Sequence, residues 1–396
     1  MQTRRRFIEQ SALLSLTSWI PNFIPQSLGA TAPSVNDRIL VVIQLDGGND
    51  GLNTVVPFAD PKYAEVRKEL RIPEKELHKL SDEIGLHPSM KGMSELFQEG
   101  RLSIIQGVGF PNPNRSHFES MSIWQHARLE ATQHDSIGWL GRTADTWYPK
   151  SVSGPDSVYV GSDSIPVSLR GRRSEAISLF EESDLLLDAN IAAGPTQERT
   201  GDDLTSYIQR SLSTSFESAR RFAENKTTES SSSIQYPVSE LAKKLHLISR
   251  MIRMGGGSRV YYVNQPGYDT HSSQLYAHQQ LLREFSQGLK AFLDDLKDAK
   301  LDQQVTVMAF SEFGRRVQEN GSAGTDHGVA GPMFLAGRAV RGGLVGAHPS
   351  LTDLDSGDLK VSIDFRQVYA TVLRKWLNVT SDVIDTNSDC LNLFSV

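Results

Sequence analysis

Four carboxylates and two imidazoles stand beside turn-forming residues at widely separated points of this chain: Asp46 before Gly47-Gly48, Asp269 and His271 after Gly267, Glu312 before Gly314, and Asp326-His327 before Gly328. That many carboxylates in one cleft repel one another unless something positive lies between them. A divalent metal is the obvious counter-charge, and a mixed Asp, Glu and His donor set suits zinc or manganese, as one ion or two. Two ions a few ångströms apart are what phosphoryl- and sulfuryl-transfer sites use. Asp46, Asp269, His271, Glu312, Asp326 and His327 are therefore the expected metal ligands. Ser116 is the expected nucleophile. It follows Pro111-Asn112-Pro113-Asn114-Arg115 and precedes a helix-like segment beginning at His117. A hydroxyl there lies beside free backbone N–H groups and the positive end of a helix dipole, which favours an anionic substrate. Arg115 and His117 are further catalytic candidates. Asn49, Asn114 and Arg315 are candidates for holding substrate oxygens, the guanidinium with two hydrogen bonds at once. Plainer roles compete with these. Ser116 and Glu119 have the spacing of a capping box, Asp46-Gly47-Gly48 also reads as a tight turn, and Glu312 also reads as a carboxylate complementing a helix dipole.

Short apolar runs must bring these residues together. Residues 39–45, 102–106, 260–263, 305–310 and 333–336 are apolar without strict alternation, so both faces are expected to be buried, as in a parallel sheet. Helix-period segments at 241–254, 272–299 and 365–377 fall between and after them. The expected class is α/β, with a mainly parallel central sheet and helices on both faces. In such a sheet the ligand crevice lies beyond the carboxyl ends of the strands. Four of the five runs carry their polar cluster just past that end, and Asp326-His327 can join from a loop.

Composition bounds the rest. The 396 residues are 38% hydrophobic and 22% charged, enough for a sizeable core and too apolar for whole-chain disorder. With 41 Lys and Arg against 47 Asp and Glu the net charge is -6, which argues against a nucleic-acid partner. The single cysteine, Cys390, excludes an internal disulfide and a cysteine zinc cage. Residues 1–32 read as an export signal, with Arg4-Arg5-Arg6 before Phe7-Ile8, an apolar run at 11–20, and Ala30-Thr31-Ala32 as a cleavage-like site. The pattern is of the twin-arginine type. The expected partners are that export machinery and a small anionic ester or glycan substrate, with a periplasmic or extracellular location and no stable transmembrane anchor. Residues 33–396 are expected to form one domain, with polar stretches at 192–203 and 225–233 marking an insertion or lid around 143–240.

The motifs at 44–53 (Gln-Leu-Asp-Gly-Gly-Asn-Asp-Gly-Leu-Asn), 85–88 (Gly-Leu-His-Pro), 112–118 (Asn-Pro-Asn-Arg-Ser-His-Phe), 138–142 (Gly-Trp-Leu-Gly-Arg), 268–271 (Tyr-Asp-Thr-His), 310–315 (Phe-Ser-Glu-Phe-Gly-Arg) and 325–328 (Thr-Asp-His-Gly) resemble, in order, those of an exported bacterial family called domain of unknown function 1501. That family is similar to the alkaline phosphatase superfamily, which includes sulfatases and cofactor-independent phosphoglycerate mutases. The resemblance implies an alkaline-phosphatase-like fold. It also implies Asp46 as the metal-binding carboxylate after the first strand, Ser116 as nucleophile, Asp269 and His271 on one metal, and Glu312 with His327 completing the set. The superfamily places an Asp-His pair after a later strand. Here Phe313 follows Glu312, so Asp326-His327 is a second candidate for that place. Three functions stay open: an extracytoplasmic metal-dependent hydrolase of phosphate or sulfate esters, a metal-independent serine hydrolase, and a non-catalytic envelope or glycan-binding protein with a degenerate site.

Overall fold

The computed structural model describes residues 37–130, 136–148, 155–181, 232–380, 383–384 and 389–395. Residues 1–32, expected to be an export signal, the stretch at 192–203 and most of 225–233 lie outside the described residues. Among the described residues nine strands form the central sheet: β1 (Ile39–Asp46), β2 (Leu102–Gly109), β3 (Ser157–Val160), β4 (Ala176–Leu179), β5 (Val260–Pro266), β6 (Val305–Phe310), β7 (Gly331–Ala336), β8 (Gly343–Val345) and β9 (Ile363–Asp364). Their order is β8-β2-β7-β6-β1-β5-β3-β4, with β9 also beside β2. All pairings are parallel except those of β7, which runs against both β2 and β6. The expected α/β class with a mainly parallel sheet is what the chain adopts.

The non-alternating apolar runs bury both faces. Val41, Ile43 and Leu45 of β1 point to one core, where they meet the helices α1 (Lys91–Gln98), α4 (Glu240–Arg253) and α5 (Gln274–Asp298). Leu40 and Val42 point to the other, packed with α2 (His117–His126), α3 (Trp139–Asp145) and α6 (Phe365–Thr371). The period-2 geometry of a strand makes this division, and each face contributes a separate apolar layer.

Register levels the strand tips. Asp46 is paired with Pro266 of β5, and Gln44 with Phe310 of β6, so the residues that follow β1, β5 and β6 emerge at one rim. β7 enters the sheet backwards, and the residues that precede it therefore arrive at the same rim. The described part of region 143–240 includes β3 and β4. β3 pairs with β5 and β4 with β3, extending the sheet at its edge. No described helix is long and apolar enough to cross a membrane.

Candidate metal centre and its cavity

At the rim the chain turns sharply, and Gly47 permits it. Gly47 has φ +117, and a Cβ placed there would lie 2.5 Å from the backbone nitrogen of Asp269. Only glycine combines that conformation with that close approach. The loops meeting here are tied by one buried guanidinium. Arg315, 2% exposed, donates to the carbonyls of Gly48 (2.7 Å), Thr325 (2.7 Å), Tyr268 (3.1 Å) and Gly47, and to Asp269 Oδ1 at 2.6 Å. These bonds knit three loops together around the Arg315 guanidinium.

Three histidines converge on Asp269. His327 Nε2 lies 3.1 Å and His271 Nε2 3.0 Å from Asp269 Oδ1, and these two ring nitrogens are 3.0 Å from each other. His117 Nε2 is 3.5 Å from Asp269 Oδ2 and is buried without a hydrogen-bond partner among the described residues. Each imidazole is anchored by its other nitrogen. His117 Nδ1 is 2.8 Å from Glu312 Oε1, His271 Nδ1 is 3.2 Å from Asp326 Oδ1, and His327 Nδ1 is 2.8 Å from the Arg115 carbonyl. Those acceptors assign the proton to Nδ1 in the neutral rings, leaving the Nε2 lone pairs facing inward. Two lone pairs 3.0 Å apart repel unless a cation or a proton lies between them.

The arrangement fits a divalent cation. Zinc bonds of about 2.0–2.2 Å in a tetrahedron put neighbouring donors roughly 3.3–3.6 Å apart. His117, Asp269 and His327 offer ligand atoms all within 4.8 Å of one another. The Nδ1 anchors are the outer partners that metal-binding histidines usually have. Glu312 is 1% exposed and accepts from Gly47 N at 3.0 Å and from Ser311 Oγ at 3.1 Å as well as facing His117. It and Asp326 thus sit one shell outside the converging atoms, orienting His117 and His271. Asp46 lines the adjoining cavity, its carboxylate held by Gln44 Nε2 at 3.1 Å.

Electrostatics follow from the packing. Burial pushes Asp269 up, but the hydrogen bond and charge of Arg315, with His327 close by, override it and hold its pKa at about 2. The hydrogen bond to Glu312 raises His117 above the usual imidazole value against the opposing effect of burial. Burial raises Asp46, and the charge of Glu312 adds to that. Asp326 is lowered, chiefly by the hydrogen bond from Asn320.

The other expected site residues have distinct places. Ser116 is the N-cap residue of α2, half-buried, and its hydroxyl makes no capping bond. Glu119 pairs with Asn114 Nδ2 instead, so the capping box does not form. Asn114 Oδ1 accepts from Ser116 N at 2.8 Å, an Asx-type turn that shapes the start of the helix. Arg115 pairs with Asp358 through its guanidinium. Asn49 is 1% exposed and lies beneath the rim, accepting from Thr54 Oγ1 at 2.9 Å and facing His278 Nε2 at 3.0 Å. The cavity beside the cluster measures about 640 Å³ and is lined by Asp46, His117, Asp269 and Glu312 together with residues of α2. Phe118 and Met121, which also line it, were not foreseen in this place. The four-residue step from His117 to Met121, one helical turn along the same face, was the available signal.

The family model described as "Protein of unknown function (DUF1501)" matches residues 37–389. No curated protein matches the chain. Among solved structures, the chain is similar to the PsFucS1 sulfatase from Pseudoalteromonas sp., with 11% identity, a TM-score of 0.40, and coverage of 96% of this chain and 72% of that one. It is also similar to a putative sulfatase from Bacteroides thetaiotaomicron, with 8% identity, a TM-score of 0.43, and coverage of 90% and 74%. A protein of the alkaline phosphatase superfamily from Vibrio parahaemolyticus matches with 10% identity, a TM-score of 0.39, and coverage of 86% and 67%.

Proposed function

Taking as premise that the chain belongs to the DUF1501 family, we propose that it hydrolyses phosphate or sulfate monoesters with a divalent metal, zinc or manganese, held by His117, Asp269 and His327, with His271 adjoining. The observation that carries this reading is the inward convergence of imidazole Nε2 atoms on one carboxylate, each ring tied back through Nδ1. When bound, such a metal stabilises developing negative charge on the ester oxygens and acidifies a neighbouring hydroxyl. Overall one water is consumed, and the ester leaves as alcohol and free oxyanion. Ser116 Oγ forms the new bond to phosphorus or sulfur as the ester bond breaks, and water later cleaves that seryl ester. The serine is flanked by Arg115, whose carbonyl faces His327, and by His117, and its hydroxyl is free of any capping role. Asp46, which lines the cavity beside the cluster, would take the serine's proton as the new bond forms and hand it to the leaving oxygen.

Elemental analysis with a panel of monoesters tests this. About one divalent ion per chain is expected, with activity lost to a chelator and restored by zinc or manganese. Ser116→Ala is expected to lower turnover more than about a hundredfold with the metal retained. Unchanged turnover would remove the serine from the mechanism, and metal-free, chelator-resistant turnover would favour the metal-independent serine hydrolase. The same proposal places the enzyme outside the cytoplasm, on the strength of Arg4-Arg5-Arg6 and the apolar run behind them. A triple variant, Arg4→Lys with Arg5→Lys and Arg6→Lys, should accumulate in the cytoplasm, and undiminished export of that variant would count against a twin-arginine route.

A further inference from the structure

The cavity is far larger than the reacting group needs. A tetrahedral oxyanion takes roughly the space of two waters at about 30 Å³ each, whereas the cavity is about 640 Å³. Cavities of roughly 300–1,000 Å³ are the size that encloses a drug-sized ligand. Its long wall is α2. His117, Met121 and Gln125 form one column at four-residue spacing, and Phe118, Ser122 and His126 form the next, and all line the cavity. At about 1.5 Å per residue this wall runs roughly 14 Å away from the cluster. Val167 also lines the cavity, and its N–H donates to Gln125 Oε1 at 3.2 Å, fastening that residue to the helix. Phe118 presents an aromatic ring that is 77% exposed, and Met121 is a half-buried, adaptable neighbour.

Charge narrows what can lie there. The described lining residues include the carboxylates Asp46, Asp269 and Glu312 and no Lys or Arg. Arg315 and Arg115, beside the cluster, are committed to Asp269 and Asp358. An anionic group remote from the metal would meet Asp46 with no Lys or Arg among the described lining residues to compensate it.

We infer that the substrate is a monoester with a single anionic group, seated at the histidine cluster, and with a neutral, ring-bearing alcohol part that lies along α2 against Phe118 and Met121. This deepens the hydrolase reading and rests on it for the seat of the anion. Small alkyl esters leave the trough empty, and polyphosphates or other multiply charged chains place a second anion in it.

The test uses the full zinc-loaded chain and three phosphonates that cannot be hydrolysed: methylphosphonate, benzylphosphonate and 4-carboxybenzylphosphonate. Calorimetry reads their binding, and the ethyl and benzyl phosphate and sulfate monoesters, whose leaving alcohols are similar in acidity, read turnover. Burying one ring is worth about tenfold or more in affinity. Benzylphosphonate is expected to bind at least about tenfold more tightly than methylphosphonate, and the added carboxylate to undo that gain. Phe118→Ala, at an exposed position that the fold does not depend on, should narrow the benzyl-to-methyl gap. Equal affinity of the methyl and benzyl compounds, or tighter binding of the carboxylated one, would overturn the inference. A benzyl preference with no turnover of any monoester would support the trough and defeat the hydrolase reading. Turnover with no such preference would do the reverse.

Discussion

His327→Ala is expected to leave the protein folded but stripped of its divalent ion, and to lower monoester turnover more than about a hundredfold. The imidazole supplies an Nε2 3.1 Å from Asp269 Oδ1 and 3.0 Å from His271 Nε2, so its removal opens the middle of the cluster. Changes to outer partners of a metal site commonly cost 10–100-fold in affinity or activity, and a direct donor costs at least as much. The paired control is Asp326→Asn. It leaves every inward-facing donor in place and alters the carboxylate that anchors His271 at 3.2 Å and accepts from Asn320, so metal stoichiometry should persist while affinity falls by about tenfold. Metal titration of the two variants separates ligand from anchor. Full metal content in His327→Ala would sink the assignment.

The second large effect lies beneath the rim. Asp50→Asn is expected to destabilise the fold by about 3–5 kcal/mol, because it leaves the Arg67 guanidinium as a buried, uncompensated charge. Both side chains are 0% exposed, and Arg67 Nη2 lies 3.0 Å from Asp50 Oδ1. Arg67 also donates to the carbonyls of Val317 (2.8 Å) and Arg316 (2.9 Å), so the pair joins the turn after β1 to the loop after β6. Burial alone would raise the Asp50 pKa, but the charge and hydrogen bonds of Arg67 overcome it and hold it below the usual carboxylate value. The folded pKa is therefore lower than the unfolded value of about 3.9. The stabilisation is fully present above that unfolded value and is lost as pH falls through the folded one. Urea midpoints measured from pH 7 downward should show wild type and Asp50→Asn converging only below about pH 4. A gap that stays constant down to pH 2 would contradict this.

Much of the frame was readable in advance. β1, β2, β5, β6 and β7 are apolar runs without strict alternation, and two-sided burial is the physical meaning of that pattern. Because such strands lie side by side, the carboxylates and imidazoles after them had to share a rim, and Asp46, Asp269, His271, Glu312 and His327 do. β3 and β4 were missed. Each has only four residues, too few for periodicity to register, and they fall in a region whose neighbouring stretches are polar. The backward run of β7 was also hidden, since strand direction depends on pairing and leaves no trace in composition. Division of labour within the cluster was beyond sequence as well. That Glu312 and Asp326 anchor imidazoles, or that Arg315 spends its donors on carbonyls, depends on ångström-scale placement that residue type does not encode. Asn49, expected among the residues that hold substrate oxygens, is buried in the fold and faces His278, whose burial keeps its pKa down at about 4.

The reversed β7 also changes how the centre is assembled along the chain. An ordinary parallel crossover carries the polypeptide back to the far edge through a helix before the next strand can add its residue to the rim. Between β6 and β7 no such return journey is made. Gly314 N donates to Val329 O at 2.9 Å and Gly328 N to Gly314 O at 2.9 Å, so one short excursion presents Glu312 on its way out and His327 on its way home. Half of the constellation is therefore a local object, sequence-contiguous and cheap to close, and only the other half waits for distant segments to dock.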